Sequence, residues 1–174
     1  MGWHAVGLTE AAHKMIPRQS RGGRQIIDAD VIALQEVDRR IGARETCIPR
    51  AEIDDTHWRL IEVAKRPRSI GWHGNALLVR REFDVHEGEA LELPTLEPRG
   101  AVMAEIEHDG GPIRIIGMHL DLSGLYRRRQ VERIVAHIEK RHAHMPTIVM
   151  GDTNDWRPSA ACFEPFSERF RFAD

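Results

Sequence analysis

Short apolar runs that end in polar residues are the dominant pattern along the chain. Residues 31–34 are four apolar residues in a row, and Gln35-Glu36 follows them directly. An uninterrupted run of this length predicts a β-strand that is buried on both faces. The segments 113–118 and 146–150 are also largely apolar and also lead into polar residues. We therefore expect polar groups just beyond the ends of several buried strands.

Other segments predict the partners of these strands. Residues 100–107 alternate between apolar and polar positions, and Asp109-Gly110-Gly111 is a turn signal. This strand is therefore expected to form a hairpin with 113–119. Two more strands, 69–72 and 75–80, are predicted on either side of a glycine.

One long amphipathic helix is predicted over Tyr126 to His142. Its buried stripe is formed by residues at helical spacing, namely Val131, Ile134, Val135 and Ile138. Short helices are predicted at Thr9 to Ile16 and around Asp55 to Ala64. Many short strands and one long helix favour two packed sheets with helices outside.

Length and charge narrow the class of protein. The 174 residues fit one domain spanning 1–174. The formal net charge of −2 argues against a basic protein that coats nucleic acid, so an anion site must be local. The basic residues are mostly arginine, which suits bidentate phosphate binding, although a GC-rich genome explains the same bias.

The cysteines and the absence of a long apolar run predict the compartment. Cys47 and Cys162 are far apart, and no CxxC or Cys/His zinc spacing occurs. A reducing cytoplasm is therefore expected. We expect neither a signal peptide nor a transmembrane helix.

Three clusters at strand ends carry residue types with chemical potential. Glu36 offers a hard oxygen ligand for Mg²⁺, but a strand that simply leaves the core also tends to end in Glu. His119 could protonate or stabilise a phosphate, or be an ordinary polar strand end. Asp152 and Asn154 are two residues apart and project to one side of an extended strand. An Asx-type turn explains these two residues equally well.

The clusters together resemble the motifs of the endonuclease/exonuclease/phosphatase superfamily, which has a DNase I-like fold. Gln35-Glu36-Val37-Asp38 resembles its QEVD-type motif, Gly117-Met118-His119-Leu120 its H-L strand, and Gly151-Asp152-Thr153-Asn154 its GDxN motif. Gly74 to Leu78 and Arg99-Gly100-Ala101 resemble its intervening strands. The order and spacing also match, and the similarity is to small bacterial members.

The resemblance implies an α/β fold, a four-layer αββα sandwich of two mainly antiparallel sheets with outer helices. It also implies Mg²⁺ or Mn²⁺ bound by Glu36, and an attacking water oriented or deprotonated by Asp152. Asn154 would hold a phosphate oxygen, and His119 would donate to the phosphate or the leaving oxygen. The activity implied is that of a metal-dependent phosphodiesterase or nuclease.

The chain departs from the family pattern near both ends. The family opens with a strand carrying an Asn and closes with Ser-Asp-His, and neither feature occurs here. The missing final His favours an alternative, a catalytically impaired or inactive member, or a fragment of one, that serves as a binding or assembly module. If the family's end strands are missing, each sheet would lose a strand and leave backbone groups unpaired. Pairing with a second copy would satisfy these groups, so a homodimer is plausible.

Candidate substrate contacts are Asn75, Arg127 and Trp156. Arg127 lies in a run of arginines at the start of the long helix, and a solvated helix face explains this run at least as well. A cation there opposes the helix dipole, which favours a functional role. Trp156 could stack on a nucleic-acid base, although such residues more often serve packing. The predicted partner is a phosphate ester. DNA, RNA, a nucleotide, an inositol phosphate and a phospholipid headgroup all stay open.

Overall fold

Two β-sheets and three short-to-medium helices make up the computed structural model, which describes residues 4–6, 29–39, 42–108, 110–141, 144–157 and 159–172. In chain order the elements are β1 (His4–Val6), β2 (Val31–Leu34), α1 (Arg50–Asp54), β3 (Trp58–Leu60), β4 (Ala76–Arg80), β5 (Val85–Leu91), β6 (Gly100–His108), β7 (Gly111–His119), α2 (Gly124–Glu139), β8 (Thr147–Asp152), a 3₁₀ turn (Ala161–Phe163), α3 (Glu164–Ser167) and β9 (Arg171–Phe172).

The two sheets differ in size and in strand direction. The larger has six strands in the order β5-β6-β7-β8-β1-β9, and the smaller has three in the order β2-β4-β3. The small sheet is antiparallel, as are β5, β6 and β7 among themselves. Strands β8, β1 and β9 run parallel to β7, so the large sheet is mixed.

The core has three apolar layers. Between the sheets, Leu77 and Val79 of β4 pack with Val102 and Ala104 of β6. On the outer face of the large sheet, β-strand side chains meet α2 and α3. On the outer face of the small sheet, they meet Ile53 of α1. The predicted αββα sandwich is confirmed, because each sheet buries both faces.

The hairpin and the long helix are confirmed with small shifts of their ends. Strands β6 and β7 pair without a break from Gly100↔His119 to His108↔Gly111. Helix α2 begins two residues before the predicted start and ends at Glu139. The predicted stripe faces the core, with Val131 and Ile134 fully buried.

Two predicted elements are wrong. The helix expected over 55–64 is instead the shorter helix α1, and strand β3 follows it. Trp58 to Leu60 pairs with β4, so sheet pairing outweighs the local helical preference. No strand forms over 69–72, where Trp72 makes only an isolated bridge to Asn75.

The ends of the chain bear on two further predictions. The helix predicted over 9–16 lies outside the described residues. The short strand β1 lies between β8 and β9 in the large sheet. The homodimer through unpaired edges stays a prediction.

None of the helices in the described ranges is both long and apolar enough to span a bilayer.

Candidate active site

The candidate site lies at one end of the large sheet, where three strands bring their polar residues to the same level. His119 ends β7 and is the register partner of Asp152 at the end of parallel strand β8. It is also the partner of Gly100, the first residue of β6. Arg99, directly before that glycine, therefore arrives beside His119. Sheet register alone thus places three polar side chains together.

Gly151 makes the close pairing of these strands possible. Its φ is +134°, a conformation that residues with a side chain rarely adopt. A Cβ atom added there would lie 1.9 Å from the carbonyl oxygen of Met118. The glycine of the GDxN motif is therefore required by the backbone, and it fixes where Asp152 emerges.

His119 lies buried between a cation and a carboxylate. The Nη1 atom of Arg99 is 2.8 Å from Nδ1 and 2.7 Å from Nε2 of the ring. Nε2 is also 3.5 Å from Oδ2 of Asp152. Because a guanidinium can only donate, the ring nitrogen that accepts from Arg99 carries no proton. The other ring nitrogen carries the proton, and Nε2 is the nitrogen that lies beside Asp152.

Arg99 extends this line of contacts to Glu36. Its Nη1 atom lies 3.7 Å from Oε1 of Glu36, and Nη2 lies 3.4 Å from Oε2 of Glu97. The Arg99 side chain is 6% exposed, whereas that of Glu36 is 37% exposed. Arg99 thus joins the end of the small sheet to the end of the large one. The prediction from sequence missed it as a site residue, although its place just before a strand glycine was a usable signal.

Glu36 is held in an unusual backbone conformation. Its φ is 56°, in the left-handed region, which non-glycine residues enter at some cost. The next amide, of Val37, donates to the carbonyl of Gly74 at 3.0 Å. The turn before β4 therefore braces the segment that carries Glu36. Strain of this kind clusters at functional sites.

Asn75 contributes an oxygen that has no partner among the described residues. Its Nδ2 donates to the carbonyls of Trp72 and His73 at 3.2 and 3.5 Å. Its Oδ1 is buried without a hydrogen bond. A buried acceptor left this way is costly, so it suits a donor or a cation rather than a phosphoryl oxygen.

Asp152 and Asn154 adopt a turn, not the extended arrangement that was one of the two predictions. The amide of Asn154 donates to Oδ1 of Asp152 at 2.8 Å, and the φ of Asn154 is 51°. Nδ2 of Asn154 donates to the carbonyl of Leu120 at 2.7 Å. The Asx-type turn is therefore correct. It still holds one Asp152 oxygen in place and leaves a second Nδ2 hydrogen on Asn154.

Arg127 is buried under the loops around the site. Nη1 donates to the carbonyls of Asp121 and Leu122 at 3.2 and 2.6 Å, and Nη2 donates to Asp155 at 2.7 Å. These contacts hold the loop after β7 to the loop after β8. The structure thus places Arg127 in a bracing position, and its role as a substrate contact stays a prediction. Trp156, next to Asp155, is exposed.

Two carboxylates complete this brace. Burial tends to raise the pKa of Asp121, but amide donors of Ser123, Leu96 and Glu97 outweigh it, so the pKa is lowered. Hydrogen bonds from the side chain and backbone of Arg157, with the charge of Arg127, lower the pKa of Asp155 to about 2. Both groups are therefore ionised at neutral pH.

The oxygens at this end of the sheets fit a hard cation. Mg²⁺ keeps several water ligands and takes only one or two protein carboxylates, which the partly exposed Glu36 can supply. The orphaned Oδ1 of Asn75, on the turn that braces Glu36, is a second oxygen of the right kind. Within the described ranges, no three His, Cys, Asp or Glu side chains are grouped closely enough to hold a metal by themselves.

Comparison with known sequences shows which family the chain belongs to. The sequence pattern of the Endonuclease/Exonuclease/phosphatase family matches residues 11–171. The chain belongs to this family. Endonucleases, exonucleases and phosphatases all cleave phosphoester bonds, so it is a member of a family of phosphoester hydrolases.

Curated and solved relatives agree with this assignment. The chain is 27% identical over 167 residues to the uncharacterized protein YbhP of Escherichia coli K12, covering 88% of this chain and 65% of YbhP. It resembles a Bacteroides vulgatus endonuclease/exonuclease/phosphatase structure, with TM-score 0.62, 18% identity and coverage of 80% and 57%. It also resembles ANGEL2, a 2′,3′-cyclic phosphatase, with TM-score 0.60, 17% identity and coverage of 81% and 44%. The two structures establish the fold, and the chain spans less than two thirds of the length of each relative.

Proposed function

We propose that the chain is a metal-dependent phosphoester hydrolase in which Asp152 activates the attacking water. The observation that carries the proposal is the continuous line of contacts from Glu36 through Arg99 and His119 to Asp152. A phosphoester placed along this line would meet a cation ligand, two donors and a base. Family membership supports the same reaction class.

The reaction needs one base and several positive groups. Asp152, with Oδ1 held by the Asn154 amide, accepts a proton as water attacks phosphorus and the ester P–O bond breaks. The N–H group of His119 donates a hydrogen bond to the phosphate or the leaving oxygen, and the leaving oxygen takes its proton from water. Arg99 and the second Nδ2 hydrogen of Asn154 stabilise the charge on the phosphoryl oxygens.

Glu36 is the residue proposed to hold Mg²⁺ or Mn²⁺, with Asn75 as a second oxygen donor. When bound, the ion acts as a Lewis acid on the phosphoryl group. Arg99 beside Glu36 keeps that carboxylate turned toward the site. Arg127 and Trp156 remain proposed substrate contacts, Trp156 by stacking on a base. Asn75 remains one only toward a donor group of the substrate, not toward its phosphoryl oxygens.

A catalytically impaired member that binds phosphate esters is the second candidate. The observation that favours it is that His119 and Oδ1 of Asp152 are already engaged, by Arg99 and by the Asn154 amide. If this second candidate is correct, the chain should bind metal or phosphate without hydrolysing the ester.

Hydrolysis of bis(p-nitrophenyl) phosphate and of plasmid DNA, with Mg²⁺, Mn²⁺ or EDTA, tests the proposal. We expect metal-dependent turnover that falls by about 100-fold or more in Asp152→Asn. Asp84→Asn, an exposed carboxylate in the turn before β5, is the matched control and should keep wild-type activity. Equal inactivity of wild type and Asp152→Asn would reject the enzyme and favour the second candidate.

A further inference from the structure

Four large apolar side chains are exposed to solvent around the candidate site. Leu96, Leu122, Leu125 and Trp156 are 65%, 61%, 59% and 86% exposed. We call these four residues the apolar rim. One other large apolar side chain in the described ranges is exposed, Phe172 at 42%, and it lies on the edge strand β9.

The loops that carry the apolar rim are tied together by buried polar groups. Oδ2 of Asp121 accepts the Leu96 amide at 3.1 Å. Arg127 holds the carbonyl of Leu122 at 2.6 Å and the carboxylate that precedes Trp156 at 2.7 Å. The structure therefore fixes the backbone of segments whose apolar side chains face solvent. Grouped exposed apolar residues of this kind mark interaction sites.

The chemistry of the rim distinguishes between possible partners. A surface that stacks on nucleic-acid bases relies on aromatic residues along a basic groove, but three of the four rim residues are leucine. A stable dimer buries roughly 800 Å² on each partner, whereas four side chains offer on the order of a few hundred Å². Aliphatic residues with a Trp and exposed arginines are typical of segments that lie at a membrane interface.

Charge around the rim is consistent with a phospholipid surface. Arg157 follows Trp156 directly and bonds to the Asp155 carboxylate, and its side chain is still 75% exposed. Arg129, on the first turns of α2, is exposed and lies over the ring of Tyr126 at 5.5 Å. Cations near an apolar patch can meet the phosphate groups of lipids while the leucines and Trp enter the acyl boundary.

We propose that the apolar rim docks the chain on a phospholipid surface, with the candidate site facing the headgroups. Docking itself does not depend on turnover. The extension that phospholipid headgroups are the substrate class rests on the proposed function, because it needs a working phosphoester site.

Co-sedimentation with vesicles tests the docking. We expect the chain to bind vesicles of phosphatidylcholine mixed with phosphatidylglycerol more tightly than phosphatidylcholine alone. The double variant Leu122→Ser/Leu125→Ser should bind about tenfold more weakly or worse, and Arg129→Gln roughly fivefold more weakly on the anionic vesicles. Phe172→Ser, the matched control, should stay within about twofold of wild type.

Several outcomes would overturn the docking. These are no sedimentation of wild type with either vesicle, or equal binding by the double leucine variant. Selective loss of single-stranded oligonucleotide binding, or of a dimer, in that variant would assign the rim to nucleic acid or to a second copy instead. Asp152→Asn should bind vesicles as wild type does. Loss of vesicle binding and loss of turnover can therefore be distinguished from each other.

Discussion

At the scale of single residues, Arg99 is the group on which the geometry of the site most depends. It contacts Glu36 and both ring nitrogens of His119 from a buried position. Lysine carries the same charge but lacks the planar fork with which Nη1 of Arg99 faces His119 and Glu36 while Nη2 faces Glu97. The site should therefore respond to a substitution that leaves the local charge unchanged.

Arg99→Lys is expected to lower kcat/KM by roughly 100-fold in the phosphodiester assay, while Tm changes by only a few degrees, about 2–4 °C per kcal/mol. Steady-state kinetics and thermal unfolding, measured on the same preparation, check this. Arg68→Lys, which alters the exposed ion pair with Glu45, is the control. Wild-type kinetics in Arg99→Lys would show that Arg99 contributes to packing and not to catalysis.

Gly151→Ala is expected to destabilise the fold by about 3 kcal/mol or more. Both the positive φ and the 1.9 Å approach of a Cβ to the Met118 carbonyl oppose the substitution, and the obstructing atom is backbone. Urea unfolding measures the loss. Gly110→Ala, where an added Cβ meets nothing within 4 Å, should stay within about 0.5 kcal/mol. A small effect at Gly151 would mean that β7 and β8 pair less closely than described.

Residue identities in the site were more predictable than their conformations. Strand-end position and motif order were enough to select Glu36, His119 and Asp152. The left-handed backbone of Asn154 and the buried bracing position of Arg127 depend on partners in other loops. No periodicity in the sequence encodes those contacts.

At the scale of elements, the end of α2 carries a pH-sensitive contact with the large sheet. His137 faces Glu89 at 3.4 Å, and Arg141 pairs with Glu87 and Glu105 on the neighbouring strands. Burial, followed in size by the opposing effect of Glu89 and then by nearby arginines, leaves the pKa of His137 lowered. Protonation is thus easier in the unfolded chain than in the folded one.

The direction in which pH changes the stability follows from this difference in pKa. Because the folded pKa lies below the unfolded value of about 6.5, the unfolded state binds more protons as pH falls through that value, and stability decreases. His137→Gln should flatten the fall in unfolding free energy between about pH 7 and 5, as measured by urea titrations at several pH values. The exposed His57→Gln is the control. An unchanged pH profile in His137→Gln would contradict the assignment.

Elements with a strong local signal were predictable, and those decided by pairing were not. The β6–β7 hairpin and α2 have, respectively, a turn signal and a regular apolar stripe. Residues 50–60 have neither. There, the helix is limited to five residues because Trp58 to Leu60 finds an antiparallel partner in β4. The competition between helix and sheet is settled by a strand sixteen or more positions away in sequence.

At the scale of the whole molecule, one apolar layer joins the two sheets. Val79 of the small sheet and Val102 of the large sheet are both fully buried in it. Gly117 adds to the closeness of the sheets, because a Cβ there would lie 2.8 Å from a methyl of Leu77. Neither sheet can lose this contact without exposing the other.

The sheets are therefore expected to unfold together, as one domain. Val79→Ala and Val102→Ala should each cost about 2 kcal/mol and shift the same single transition, although they lie in different sheets. Far-UV circular dichroism and tryptophan fluorescence, followed in one urea titration, should give coincident curves. Trp58 packs on the outer layer of the small sheet and Trp72 on the layer between the sheets, so a fluorescence transition that preceded the circular dichroism would mean that the small sheet separates from the large one and unfolds first. The candidate site, which takes Glu36 from one sheet and His119 from the other, would then come apart before the large sheet does.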